Sequence, residues 1–243
     1  MIFAVENAAV ATERKGRMAV QFAQPYRFSE QQLARMAEAG ILPRAGTHLV
    51  DGVPYRAGAP IRFSTDDYFR LGESGVFHEG DRVELIDGEI IEMSPEGSRH
   101  SACIRRLIRY LAPRVGTAFV GAQHSLSLPD GYWPRPDVVV LRPSEDEYEH
   151  AHPTHQDALV VIEVSDTSLR GDRHVKAGRY ALAGIPEYWL VDLTRDRVSV
   201  HLSPVAGHYA EVRVYGSGAR WASPGLGGLE IAVDEVLKPR REG

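Results

Sequence analysis

With 243 residues, 43% of them hydrophobic and 25% charged, the chain is long enough for one globular domain with a sizeable core, and its ordinary composition excludes a fibrous or disordered class. A formal net charge of -5 gives no global basic field, so any contact with nucleic acid has to come from a local patch. A single cysteine, Cys103, excludes an intrachain disulfide or a CxxC site; with no apolar run near the roughly 20 residues that span a bilayer, and no basic start to a signal peptide, a soluble cytoplasmic protein is expected.

The first 25 residues carry no sustained periodicity and read as a loosely held leader. A short unit then occurs twice. FSEQQLARMAEAGILPRAGTHLVDGVPY (28–55) and FSTDDYFRLGESGVFHEGDRVELIDGEII (63–91) align with one inserted residue, matching Arg35 with Arg70, Glu38 with Glu73, Gly40 with Gly75 and Asp51-Gly52 with Asp87-Gly88. Each copy predicts a Ser-capped helix ended by glycine, then a strand and an Asp-Gly turn. Glu84 of the second copy falls opposite His48 of the first. Two copies are too few for a solenoid, so residues 1–58 are expected to be a leader with a partial copy of the next element, and 59–243 the main domain.

RVELIDGEIIEM (82–93) predicts a hairpin on Asp87-Gly88, and SRHSACIRRLIRYLAPRV (98–115) an amphipathic helix. Strands are expected in AFVGAQHSLSL (118–128), DVVVL (137–141) and ALVVIEVS (158–165), with a helix from about 172 to 183 stopped by Gly184 and Pro186. EYWLVDL, RVSVHLS and YAEVRVY predict a three-stranded meander, and SPGLGGLEIAVDEVLK a turn with a short closing helix. Strands separated by helices, with a late antiparallel run, predict an α/β domain built on a mixed sheet.

A strand covered on both faces should be a continuous run of Val, Ile and Leu, as DVVVL and LVVIEV nearly are, yet Glu163 interrupts the second. A buried carboxylate without a partner costs several kcal/mol, so it is paired, shifted in pKa or bound to a metal. Taken alone, Glu163 is as readily a salt-bridge partner as a ligand. Asp137 opens the other apolar strand, and if the two strands are neighbours their carboxylates converge at one sheet edge, where oxygen donors with room for water suit Mg²⁺. Asp172, Lys176 and Tyr180 fall on one face of the next helix, so Lys176 can face the acids and hold a phosphate or orient a water. Glu84 is a further intrastrand acid.

ELIDGEIIEMSPEGSRH, RPDVVVL, VVIEVSDTS, DRHVKAGRYALAGIPEYWLVDL and SPGLGGLEI together resemble, in order and spacing from Phe63 to Leu237, the bacterial Uma-type family of restriction-endonuclease-like proteins in the PD-(D/E)XK nuclease superfamily. The resemblance implies a restriction-endonuclease-like fold, a mixed sheet flanked by helices, that hydrolyses phosphodiester bonds with Mg²⁺, Mn²⁺ being a possible substitute. It makes Asp137 the acid of the PD element, Glu163 the acid of (D/E)XK and Glu84 the acid ahead of them, all three candidate metal ligands. Ser165 stands where the motif has lysine, which nominates Lys176 from the following helix. His100 matches a histidine of the family pattern, and Tyr180 is a further candidate.

Arg105 and Arg109, at i and i+4, could track a phosphate backbone, although each alone reads as a solvated helix face. His150, His152 and His155 lack a fourth ligand at a defined spacing and read as a loop, and no phosphate loop or hydrolase triad is present. The expected activity is therefore a Mg²⁺-dependent endonuclease acting on nucleic acid, DNA above all, with a homodimer supplying two sites. The alternative is a catalytically silent nuclease-fold protein that binds nucleic acid or a protein partner. A carboxylate-pair glycosidase finds little support in three scattered tryptophans.

Overall fold

The duplicated sequence folds twice into the same unit. The computed structural model describes residues 24–78, 81–93, 97–116, 118–129, 131–166 and 170–238, with 170–175 given by backbone alone, so all but the last two residues of the expected loose leader lie outside it. Gln24–Pro25 (β1) leads into Glu30–Glu38 (α1) and a three-stranded antiparallel sheet of Thr47–Val50 (β2), Val53–Arg56 (β3) and Ala59–Pro60 (β4). The second copy gives Thr65–Glu73 (α2) and the hairpin Val83–Ile86 (β5) and Glu89–Glu92 (β6), to which β1 adds a third strand. Both helices start in a capping box, Ser29 with Gln32 and Ser64 with Asp67, which satisfies N–H groups that a helix start otherwise leaves bare. Both hairpins turn on Asp-Gly with positive φ at each residue, 48° and 74° in one copy, 52° and 76° in the other. A Cβ on Gly52 would lie 3.0 Å from Arg27 Cα, and one on Gly88 3.0 Å from Arg62 Cβ, so both turns need glycine twice over.

The two units clasp each other reciprocally. Arg35 Nη1 donates to the Gly75 carbonyl at 2.7 Å, and Arg70 Nη2 donates to the Ala39 carbonyl at 2.6 Å. Between them Met36, Leu71, Val76, Phe28, Phe63 and Leu85 form one apolar cluster.

The rest of the chain builds a six-stranded sheet. In chain order its elements are Ser98–Leu111 (α3), Phe119–Gly121 (β7), Val138–Leu141 (β8), Ala158–Ser165 (β9), Arg170–Leu182 (α4), Glu187–Asp192 (β10), Arg197–Val205 (β11) and His208–Gly216 (β12). The strand order is β12-β11-β10-β9-β8-β7; β9 and β10 are parallel, joined by the α4 crossover, and every other pair is antiparallel. Alternation along the central strands fills both faces. Val138, Val140, Val160 and Ile162 pack with Cys103, Ile104, Leu107 and Leu111 of α3, while Val139, Leu141 and Val161 pack with Tyr180 and Ala181 of α4. A mixed α/β sheet with helices on both faces is the architecture expected from the sequence.

Two stretches differ from expectation. The strand predicted over 118–128 ends at Gly121, because Gln123 takes φ 54° and a Cβ on Gly121 would meet His124 Nδ1 at 2.6 Å. The tail holds more than a turn and a helix: Arg220–Ser223 (β13) and Leu229–Ala232 (β14) pair before the closing helix Val233–Val236 (α5). Glu187, fully buried, anchors the turn between them, its carboxylate accepting from Trp189 Nε1 at 2.6 Å, Ser223 Oγ at 2.8 Å and Gly225 N at 2.8 Å. Among the described residues no helix is long and apolar enough to cross a membrane.

Candidate active site

Antiparallel pairing of β8 with β9 sets Val138 opposite Ile162, so the preceding residue, Asp137, stands across from Glu163 at the end of the sheet. Asp137 Oδ2 accepts the Val164 backbone N–H at 2.7 Å and lies 3.0 Å from His100 Nε2, which the first turn of α3 brings to the strand end. Glu163 Oε1 accepts from Tyr180 OH at 2.8 Å and from Lys176 Nζ at 3.3 Å, both on the face of α4 that covers this side of the sheet. Glu84 arrives from a different sheet. Its Oε1 accepts from Lys176 Nζ at 3.3 Å and from the Arg135 backbone N–H at 3.2 Å, and its Oε2 accepts from Tyr132 OH at 3.3 Å. Two acids far apart in sequence thus meet at one lysine, with Asp137 across the strand pair from one of them, and all four side chains are buried.

The charge there is unbalanced. Burial is the main reason that the Glu163 carboxyl is pushed up to about 8; Lys176 opposes the rise, whereas Asp137 and Glu84 add to it and the Tyr180 hydroxyl draws it down. The Tyr180 hydroxyl itself, buried beside Glu163, is held well above the ordinary tyrosine range and so serves as a donor.

The donor set fits a hard divalent cation through two of the acids. Among the described residues, the hydrogen bonds of Asp137 fall on Oδ2 and those of Glu163 on Oε1. That leaves Asp137 Oδ1 and Glu163 Oε2 for an ion, and a carboxyl with its proton affinity raised is one that a cation would relieve. Among the described residues no three His, Cys, Asp or Glu side chains form a group that could hold one ion by themselves; Lys176 stands between Glu84 and Glu163.

The structure therefore brings together Glu84, Asp137, Glu163, Lys176, His100 and Tyr180. Ser165 is half-buried at the end of β9, where its carbonyl accepts from Leu193 N at 2.8 Å. Arg105 and Arg109 are exposed farther along α3, outside the cluster, and the Asp172 side chain is outside the described part. His152 stacks on the Phe69 ring, centroids 4.9 Å apart. Sequence reasoning misses Tyr132 and the Arg135 amide, the two groups besides Lys176 that hold Glu84. Tyr132 carries no periodic or spacing signal except its place just ahead of the RPD motif. Arg179 lies over the Tyr132 ring, 5.1 Å from its centroid, and pairs with Asp87, tying α4 to the hairpin that carries Glu84.

Comparison with known proteins adds the following. A family model, Uma2, described as "putative restriction endonuclease", matches residues 65–234. The crystal structure of a DUF820 protein from Anabaena variabilis, described as a "putative nuclease", is similar in fold with a TM-score of 0.58 at 18% sequence identity, covering 72% of this chain and 97% of that one. No curated protein matches the sequence.

Proposed function

The chain belongs to the Uma2 family, and from that premise we propose that it is a metal-dependent endonuclease that hydrolyses phosphodiester bonds in DNA, residues 1–58 acting as leader and 59–243 as the restriction-endonuclease-like domain. The observation that carries the reading is the buried cross-strand pair Asp137 and Glu163, with Lys176 bridging Glu163 to Glu84. Asp137 and Glu163 would hold Mg²⁺, or Mn²⁺ in its place, with Glu84, set behind Lys176, contributing as an anchor for water. When bound, such an ion lowers the pKa of a water molecule and offsets negative charge on the phosphate.

The chain's own groups do the remaining work. His100 and the Val164 amide fix Asp137, while Tyr180 fixes Glu163, so both carboxylates are oriented before substrate arrives. Tyr132 and the Arg135 amide hold Glu84. The Lys176 ammonium, already at Glu84 and Glu163, steadies an attacking hydroxide or the charge that builds on the phosphate oxygens. No covalent intermediate is required. Arg105 and Arg109, exposed on α3, give a local basic contact for the phosphate backbone that the net charge does not supply. Cutting both strands of a duplex needs two sites, so a homodimer is part of the reading.

One observation favours a second reading. Lys176 is ion-paired with two acids and Ser165 replaces the motif lysine, as suits a silent nuclease-fold protein that binds nucleic acid or a protein partner. The two readings separate when the full chain is incubated with supercoiled plasmid, single-stranded DNA and RNA in Mg²⁺, Mn²⁺ or EDTA, beside Asp137→Ala. Cleavage that needs metal and disappears in the variant is expected. Binding without cleavage selects the silent reading, and neither binding nor cleavage refutes both nucleic-acid readings.

A further inference from the structure

The two edges of the six-stranded sheet are finished differently. At one edge β7 is only three residues long, a length too short to template another strand. At the other, β12 runs nine residues without proline and pairs with β11 from Arg197 opposite Gly216 to Val205 opposite His208, interrupted only where Ser203, at φ 58°, faces Ala210. Among the described residues, its single backbone hydrogen bond to anything but β11 is at its very end, where the Gly216 carbonyl accepts from Ala219 N. The outer rim of the strand therefore presents free N–H and C=O groups. Beside them, on one face, Val212 and Val214 are 51% and 55% exposed, and the opposite face carries Glu211 and Arg213.

We infer that β12 is a dimer interface, pairing antiparallel with β12 of a second copy about a two-fold axis through Val212 to make one continuous twelve-stranded sheet. In that register the charges of the strand are self-complementary. With the axis at Val212, Glu211 lies opposite Arg213 of the partner subunit and Arg213 opposite Glu211 of the partner subunit, while the two Val212 side chains meet on the other face. Moving the axis to Glu211 sets two glutamates against each other, and moving it to Arg213 sets two arginines together. Within one chain Arg213 already pairs with Glu211, so in the dimer four charges alternate in sign around one face. Charges on an edge strand usually discourage pairing; here their order favours the register centred on Val212 over the two beside it. The strand lies three positions from β9, so the interface leaves the acid cluster uncovered.

The dimer is also part of the proposed function, but its interface is tested without reference to cleavage. Sedimentation velocity on the full chain at about 1 to 100 μM, concentrations that bracket an interface of moderate affinity, is expected to show twice the chain mass. Glu211→Arg or Arg213→Glu alone makes two like-charge contacts by symmetry and should raise the dissociation constant at least about tenfold. The double swap, Glu211→Arg with Arg213→Glu, restores opposite charges and should return the dimer. Circular dichroism confirms that each variant is folded. A wild-type chain that is monomeric throughout, single variants that dimerise as well as wild type, or a double swap that stays monomeric would each overturn the assignment.

Discussion

Glu163→Gln tests whether an unbalanced carboxylate lies at the centre of the site. In the unfolded chain this glutamate loses its proton near the ordinary 4.5, whereas in the folded protein burial and two neighbouring acids push it up to about 8. Between those values the folded state holds a proton that the unfolded state has released, so the free energy of unfolding must fall as pH rises through that window. Below 4.5 both states are protonated and above about 8 neither is, so the slope vanishes on both sides. At about 1.4 kcal/mol for each pH unit, the window bounds the loss at ~5 kcal/mol. Glutamine keeps the shape and an oxygen to accept from Tyr180 and Lys176 but has no proton to release. In EDTA, urea unfolding at intervals from pH 5 to 9 should show the variant gaining on wild type by a few kcal/mol, most steeply between pH 5 and 8. Added Mg²⁺ should then raise the stability of wild type by about 1.4 kcal/mol at tenfold excess over its dissociation constant, and raise that of the variant less. A difference that stays constant across the whole pH range would refute the account of Glu163.

Gly225→Ala places a Cβ 2.6 Å from the Leu159 carbonyl oxygen and 3.0 Å from Glu187 Oε2, so the tail turn must shift off its anchor; a loss of about 1–3 kcal/mol in urea unfolding is expected, and an unchanged midpoint would mean that the turn has slack. Arg105→Ala and Arg109→Ala should each weaken duplex DNA binding in fluorescence anisotropy and lower the slope of log affinity against log salt by about 1, because each removes one phosphate contact; an unaltered slope places the nucleic acid elsewhere. Thermal midpoints should stay level, since both side chains are exposed.

How much of this the sequence discloses depends on whether a residue's partner is local. Ser29, Ser64 and the Asp-Gly pairs act within a few residues of themselves, and both copies of the unit fold as their spacing predicts. Asp137 and Glu163 are legible because one acid opens and the other interrupts a run of β-branched residues, on two strands that become neighbours. Tyr132 and the Arg135 amide are not, because their link to Glu84 depends on where the chain between β7 and β8 settles, and no periodicity reports that. The same stretch reads as a longer β7 because its alternating Leu126 and Leu128 are indeed buried, although in a loop rather than a strand. β13 and β14 are four residues each, with Ile231 as their only β-branched side chain, and give too little pattern to predict.

The reciprocal clasp of Arg35 and Arg70 has a kinetic meaning as well. Two matching surfaces on separate molecules meet only as often as their concentration permits, but here the short connection 57–64, which includes β4, carries one surface to the other. That corresponds to an effective concentration on the order of millimolar or more, independent of how dilute the protein is. The hairpin that carries Glu84 packs Val83, Leu85 and Ile90 into the apolar cluster between the clasped units, so that cluster reforms at a rate set by the tether rather than by encounter.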